Sequence, residues 1–363
     1  MRVLFLTSSE TASGGSRQAL YVARGLSDRG HDVTLLAPEG SPLPGIDPAV
    51  PTATLPARRR EWRAFVEGLM PDDGSPAVLH AYHNKACKLA ALWGLLWRLS
   101  GRQAVVLLNR GVCYRPGNPL PWWSPGVDAV TTNSRACADV LRRIGAPRAK
   151  LKVIYNGVPP DRVAPSRSAA EVRAELGLTP DAFVIGSVTG DKPVKGVEVL
   201  VRAAAKAARH GFTARLVLVG ANPEKWTPQA EALGVAHLFN FIPRTPQVAD
   251  YLQIFDAFAI SSLSESLPNT LLEACLAGLP VLSTAVGGVP ELIEGRGILV
   301  RPGDADALAD GLVRMASDAE ARQRFAQASQ ELARTFTMER KIATTEALYQ
   351  ELLVRRGLGA AAG

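Results

Sequence analysis

Residues Asp256 to Glu291 read DAFAISSLSESLPNTLLEACLAGLPVLSTAVGGVPE, and this stretch decides the fold. Asp256 to Ser261 is an apolar run of strand length, and Leu263 to Leu267 is a polar-rich loop. Pro268-Asn269-Thr270 then begins a helix, with proline placed where its missing N–H costs nothing. The helix is expected to reach Ala277 and stop at Gly278, with Pro280 just beyond, opening the next apolar run to Thr284. Strand, helix and strand in succession are the unit of a parallel α/β sheet.

The same alternation extends in both directions. Upstream in the second half, strands are expected at Phe183 to Gly186, Ala214 to Val219 and His237 to Phe241. The first half opens with Val3-Leu4-Phe5-Leu6, a glycine turn at Ser13-Gly14-Gly15-Ser16 and a helix through Gly25-Leu26. Further strands are expected at Val33 to Leu36, Ala77 to His80, Ala104 to Leu108, Ala129 to Thr132 and Leu151 to Ile154. The proline-rich passage from Val158-Pro159-Pro160 to Pro165-Ser166 reads as a linker. Two Rossmann-like domains result, 1–160 and 166–337, in a chain of 363 residues that is comfortable for two cores. There is no solenoid repeat, and the one low-complexity segment is the Gly-Ala tail from Gly357.

Within the deciding stretch, Glu265 lies in the loop at the carboxyl end of a strand, and Glu273 lies in the following helix, about 6 Å up its axis at ~1.5 Å per residue. The N–H groups at the helix start, Asn269 to Leu272, make a phosphate site. A carboxylate on each side of an anion site suits a ligand with hydroxyls at both ends and a diphosphate between, which describes a nucleotide sugar. The bland reading is a surface Glu plus a Glu favoured by the helix dipole.

In Glu265-Ser-Leu-Pro-Asn-Thr-Leu-Leu-Glu273 the sequence resembles the retaining GT-B glycosyltransferases of family 4, whose hallmark is a Glu-x7-Glu motif. The resemblance covers nearly the whole chain, weakly before residue 110 and most strongly from Val153 to Val300. It implies GT-B architecture, two Rossmann-like domains facing a central cleft, with a closing helix at about 338–354 packing back on the N-terminal domain. It also implies that Glu265 contacts the donor sugar, Glu273 holds the ribose, and the backbone of Pro268, Asn269, Thr270 and Leu271 binds the diphosphate.

Gly186 to Gly196 contains Lys192 and Lys195 at a turn before the helix from Val197. Fixed cations there would stabilise a departing diphosphate more in the transition state than in the ground state. Lys195-Gly196 matches the Lys-Gly of the family, and Lys192 is the candidate for its second basic residue, although Ser187 and several extra residues depart from the pattern. Gly14 and Gly15 permit close approach of a ligand to a helix N-terminus and are donor-side candidates. The resemblance puts the nucleobase beside Phe241-Ile242-Pro243-Arg244, and Gly287-Gly288-Val289-Pro290-Glu291 beside the cleft.

On the acceptor side, His80 and His83 end a first-half strand, and Asn109-Arg110 follow Ala104 to Leu108; His83, Asn109 and Arg110 are the candidates. Tyr155-Asn156-Gly157-Val158 resembles the turn at the domain junction. Asp304-Ala305-Asp306 matches an Asp-x-Asp string of metal-dependent transferases but reads better as a helix cap, so no metal site is expected.

Composition narrows the rest. No apolar run reaches the ~18 residues of a membrane span, and Leu89 to Leu99 reads as a half-buried helix. Cys87, Cys113, Cys137 and Cys275 lack paired spacing, which argues against zinc and disulfides. Residues 1–160 carry 20 Lys and Arg against 11 Asp and Glu, while 161–363 carry 21 against 23. The net +9 of the first half, with Trp62, Trp122 and Trp123 near basic residues, fits an anionic membrane surface or an acidic acceptor better than nucleic acid, for which no module is present.

The expected protein is a cytoplasmic, metal-independent hexosyl-type glycosyltransferase, peripheral on the inner face of the membrane, with a nucleotide-diphosphate sugar as donor, a glycolipid or growing polysaccharide as acceptor and no cofactor. A nucleotide-sugar epimerase of the same fold and a noncatalytic sugar-nucleotide-binding protein are the competing readings. No Gly-x-Gly-x-x-Gly follows any strand, which disfavours a dinucleotide oxidoreductase.

Overall fold

The computed structural model describes residues 1–358. Two compact units divide the chain, one of Met1–Gly157 with the segment from Met338 and one of Val158–Thr337. The boundary falls at the start of the proline-rich stretch.

The first unit holds seven strands: β1 Arg2–Thr7, β2 Asp32–Ala37, β3 Thr52–Thr54, β4 Ala77–Tyr82, β5 Ala104–Arg110, β6 Ala129–Thr132 and β7 Leu151–Val153. They form one parallel sheet in the order β3-β2-β1-β4-β5-β6-β7. The second unit holds β8 Val184–Val188, β9 Arg215–Val219, β10 Phe239–Ile242, β11 Ala257–Ile260, β12 Val281–Thr284 and β13 Ile298–Val300. Their sheet is also parallel, in the order β10-β9-β8-β11-β12-β13. Continuous apolar runs such as Val3-Leu4-Phe5-Leu6 and Ala257-Phe258-Ala259 are buried on both faces, as a helix-covered parallel sheet requires.

Strand order reverses once in each sheet, between β1 and β4 and between β8 and β11. Helices leaving two such strands depart to opposite faces, so a crevice opens at the strands' carboxyl ends, and ligands of open α/β sheets bind there.

The helix Met338–Arg355 belongs to the first unit and packs on the helix Gly14–Asp28. A Cβ at Gly25 would lie 2.1 Å from Ile342 Cδ1, so the Ile342 side chain fills the room the glycine leaves. Tyr349, Leu352, Leu348 and Leu353 are buried against Leu20, Leu26 and Phe5, at about 1.5–3 kcal/mol for each large side chain. His80 is not at a ligand-facing surface. Its Nδ1 lies 2.7 Å from the Tyr349 hydroxyl and its Nε2 3.0 Å from Thr131 Oγ1, and burial, helped by the charge of Lys341, pushes its pKa down to about 3. Lys341 is buried beside it and donates to Gln18 Oε1 (2.7 Å) and Asn156 Oδ1 (2.9 Å).

Trp62 and Trp122, expected at a charged surface, are buried instead. Trp62 fills the core beside Val66 and donates its Nε1–H to Pro56 O at 2.7 Å. An indole in a helix of alternating charge carries too much apolar area to stay in water when a sheet face lies beneath it.

Candidate functional site

In the second unit, the switch point between β8 and β11 brings Lys195 and Glu265 together. After β8 the chain makes a 3-10 turn, Pro193–Lys195, and Gly196 follows at φ +65° before the helix Val197–Ala208. A Cβ on Gly196 would stand 2.0 Å from Ser261 O, so glycine is required twice, by conformation and by space. The turn is stapled to the loop after β11: Leu263 N donates to Val194 O (2.7 Å) and Ser261 Oγ to Lys195 O (3.2 Å). That staple sets Lys195 Nζ 2.7 Å from Glu265 Oε1, which also accepts from Ser262 Oγ at 2.8 Å.

Two further contacts hold the Glu265 loop from the other side. Gly287, at φ +53°, lies so close that a Cβ would be 2.1 Å from Glu265 O, and Gly288 N donates to Ser266 O at 2.5 Å. Thr284 Oγ1, at the end of β12, donates to Ser262 O at 2.6 Å. The loop is fixed by the ends of three strands, so its carboxylate is positioned before any ligand arrives.

The helix after this loop spans Asn269–Leu276, with Pro268 at its N-cap and no side chain capping it. Leu271 N is not free, because it donates to Pro268 O at 3.2 Å. Glu273 is buried, and its Oε1 accepts from Arg162 Nε (3.2 Å) and Nη2 (3.0 Å); among the described residues no hydrogen bond to Oε2 is found. Arg162 comes from the 3-10 turn Pro160–Val163 at the start of the unit. Sequence reading missed it: one arginine in a proline-rich stretch carries no local signal, and only the tertiary fold brings it to the helix. Ser262 was missed too, although its spacing of three from Glu265 within one loop was visible.

Lys192 is exposed in the same turn and makes no ion pair among the described residues. Arg244 is exposed in the loop after β10, close in sequence to the stacked rings of Phe239 and Phe241 (5.0 Å). Asp304 accepts from Ala307 N at 2.9 Å as a helix cap, and Asp306 pairs with Lys206, so both carboxylates are already engaged.

The first unit repeats the pattern at its own switch point. Gly14 and Gly15 start the helix Gly14–Asp28 after β1, and His83 follows β4. His83 is the one non-glycine at positive φ (72°) among the described residues, a strained backbone of the kind that clusters at functional sites. Its Nδ1 lies 2.8 Å from Thr7 Oγ1 and its Nε2 3.1 Å from Ser13 Oγ. A Cβ on Gly15 would be 3.3 Å from that Nε2, so the glycine leaves the ring its place. Burial lowers the His83 pKa, which keeps the ring neutral at pH 7.

One proton arrangement satisfies the chain of contacts. Ser16 Oγ donates to Thr11 O, Ser13 Oγ donates to Ser16 Oγ, and His83 Nε2–H donates to Ser13 Oγ, leaving Nδ1 to accept from Thr7. Asn109 Nδ2 donates to Thr131 Oγ1 at 3.1 Å. Arg110 is only 1% exposed, donating to Asn84 Oδ1 and Tyr114 O and stacked between the rings of Tyr114 and Trp122. A cavity of about 190 Å³ opens beside the ends of β1 to β3, lined by Ser8, Glu10, Glu39, Arg59 and Trp62 among others.

Residues 12–162 match the family model described as Glycosyltransferase Family 4, and residues 168–332 match that described as Glycosyl transferases group 1. Among curated relatives, the chain is 35% identical over 239 residues to a D-inositol 3-phosphate glycosyltransferase of Actinosynnema mirum, covering 61% of this chain and 56% of that protein. It is 27% identical over 231 residues to the N-acetyl-alpha-D-glucosaminyl L-malate synthase of Bacillus anthracis, covering 62% and 60%. These matches span less than two thirds of either relative. The crystal structure of HepE from Anabaena in complex with UDP superimposes with a TM-score of 0.81 at 20% identity, over 96% of this chain and 100% of that one, a likeness of fold. The two adjoining matches together span most of the chain, so its first unit carries a glycosyltransferase family 4 match and its second a glycosyl transferases group 1 match, on a two-sheet architecture shared with GT-B glycosyltransferases.

Proposed function

We propose that the chain is a retaining, hexosyl-type glycosyltransferase that moves a sugar from a nucleotide-diphosphate donor to an acceptor hydroxyl. The observation that carries this reading is the Lys195–Glu265 pair at 2.7 Å, set at a switch point and flanked by the uncapped start of the helix that bears Glu273. An ammonium beside a carboxylate suits the two charges of the reaction. The leaving diphosphate gains negative charge as the anomeric carbon gains positive charge.

In this mechanism the acceptor oxygen bonds to the anomeric carbon as the bond to the diphosphate oxygen breaks, and that oxygen takes the acceptor proton. Lys195 and Lys192 neutralise the departing diphosphate, together with the first-turn N–H groups of Asn269 and Thr270, while Pro268, which has no N–H, and Leu271, whose N–H is engaged by Pro268 O, only shape the turn. Glu265 orients the sugar, and Glu273 accepts from the ribose hydroxyls through its open Oε2. No metal is required, since lysines and helix N–H groups supply the positive charge. In this reading Gly14 and Gly15 are donor-binding residues of the first unit, and Arg244 is assigned to the nucleobase. The neutral His83 is the acceptor-side group, with Asn109 near it; the burial of Arg110 gives that residue a supporting place.

The nucleotide sugar as donor is supported by HepE, which has also been solved with UDP-glucose. The acceptor we favour is a glycolipid or growing cell-surface polysaccharide, with the protein peripheral on the cytoplasmic face of the membrane. No helix among the described residues is long and apolar enough to cross a membrane. The test is mass spectrometry of reactions containing single nucleotide sugars and a panel of acceptors, with the product's anomeric configuration read by NMR. Inverted product removes the retaining mechanism. An epimerised donor with no transfer makes the chain an epimerase, and no turnover of any donor leaves a binding protein.

A further inference from the structure

Single exposed leucines are ordinary on a protein surface, but a contiguous set marks an interaction site. On the helix Asn84–Leu99 the exposed positions Lys85, Lys88, Leu92, Leu96 and Leu99 recur at a spacing that lines them along one face, and Asn84 and Arg98 are exposed too. Leu92 is 53% exposed and Leu99 77%. The opposite face, with Ala86, Cys87, Ala90, Trp93 and Trp97, fills the core. Beside it the short helix Leu120–Trp123 exposes Leu120 and Trp123.

The two helices are locked together. A Cβ on Gly94 would be 2.2 Å from Gly126 O, and Ser124 Oγ donates to Ala91 O at 3.1 Å. Trp123 donates its Nε1–H to Ile144 O at 3.1 Å, so its ring is presented in a fixed pose.

Charge decides the occupant. No Asp or Glu lies between Asp73 and Asp128, a stretch that contains Lys85, Lys88, Arg98, Arg102, Arg110 and Arg115. Lys85, Lys88 and Arg115 are exposed and make no ion pair among the described residues. A second copy docked on this face by two-fold symmetry would bring like charges together. Anionic headgroups would instead pair with the lysines while leucine and tryptophan enter the interfacial layer.

The geometry points to this face, Lys85-Lys88-Leu92-Leu96-Leu99 with Leu120 and Trp123, as the surface that docks the protein on an anionic lipid bilayer. It deepens the proposed function by saying which residues carry the membrane contact, and it rests on that reading only for the acceptor's location.

The test is flotation of the full chain with phosphatidylcholine vesicles, with and without phosphatidylglycerol, at low and high salt. The chain should float with the anionic vesicles at low salt and be released by high salt. K85E with K88E should weaken partitioning about 25-fold or more, taking roughly fivefold per lysine. L92S/L96S/L99S should abolish flotation with the fold intact, as the three side chains are exposed. Brominated lipid should quench the wild type more than W123F. Failure to float with anionic vesicles, or unchanged flotation in the leucine variant, overturns the assignment. A concentration-dependent dimer in sedimentation that the leucine variant dissolves also overturns it, in favour of a second copy. Calorimetric binding of UDP should be unchanged in these variants. Its absence from the wild type would sink the donor reading and leave the docking face standing.

Discussion

Replacing Glu273 by Gln separates two roles that one carboxylate could have, holding a ribose and holding Arg162. Glu273 is 7% exposed and Arg162 22%, and both guanidinium contacts fall on Oε1. Oε2 receives neither of them. A hydrogen bond to a charged acceptor contributes about 1.5–3 kcal/mol and to a neutral one about 0.5–1.5, so E273Q should weaken nucleoside diphosphate binding by about 1–2 kcal/mol, or roughly 5–30-fold. Arg162→Met should do the reverse. It strands a buried carboxylate, for which a fully buried pair would lose about 3–5 kcal/mol, reduced here to about 1–3 because the guanidinium reaches solvent. Donor affinity should change little. Calorimetric titration with UDP, run beside urea unfolding of each variant, reads both quantities. Equal affinity for wild type and E273Q, or as large an affinity loss in R162M as in E273Q, would refute the ribose role.

Four further outcomes follow from the geometry. Lys195→Met should lower kcat more than it raises the donor KM, because the lysine meets more charge in the transition state; a rise in KM alone would make it a binding group. Gly196→Ala should lower both turnover and Tm, since the new Cβ meets Ser261 O at 2.0 Å and the left-handed conformation adds about 1–2 kcal/mol of strain; wild-type values for both would show that the turn has room. Turnover should persist in EDTA, and activity lost there but restored by magnesium or manganese would bring Asp304 and Asp306 back as ligands. Burial holds Lys341 at about 7 against its ordinary 10.5, so the unfolded chain binds more protons between those values and stability should rise with pH across that window. Lys341→Met should flatten the rise, and parallel stability curves for the two proteins would count against it.

Most of the fold was legible because a parallel sheet buried on both faces writes its strands as plain apolar runs. Ala129–Thr132 has the expected ends, and others differ by a residue or two, Ala257–Ile260 falling one short at each end and polar ends such as Arg2 and Arg110 extending the ladder elsewhere. The two strands that escaped, Thr52–Thr54 and Ile298–Val300, are three-residue pieces at sheet edges, where little pattern can build up. At the candidate site, residues within one local motif could be read, as with Glu265, Glu273 and Lys195. Arg162, which reaches Glu273 across 111 positions of sequence, could not. Exposure was misjudged where amphipathic residues were involved. Trp62 and Trp122 went inside, whereas the helix read as half-buried is so, with Leu92, Leu96 and Leu99 on its exposed face.

The first unit is completed by the last helix, so the two units are made in an order opposite to their numbering. A ribosome releases all of Val158–Thr337 before Tyr349, Leu352 and Leu353 can reach Leu20 and Leu26. At ~5–20 residues per second the apolar seat for that helix stays uncovered for on the order of ten to forty seconds. The second unit, a continuous segment, can finish folding within that interval. The first must wait as a nascent chain with an open flank. A stop codon ahead of Met338 would therefore remove a wall of the N-terminal core.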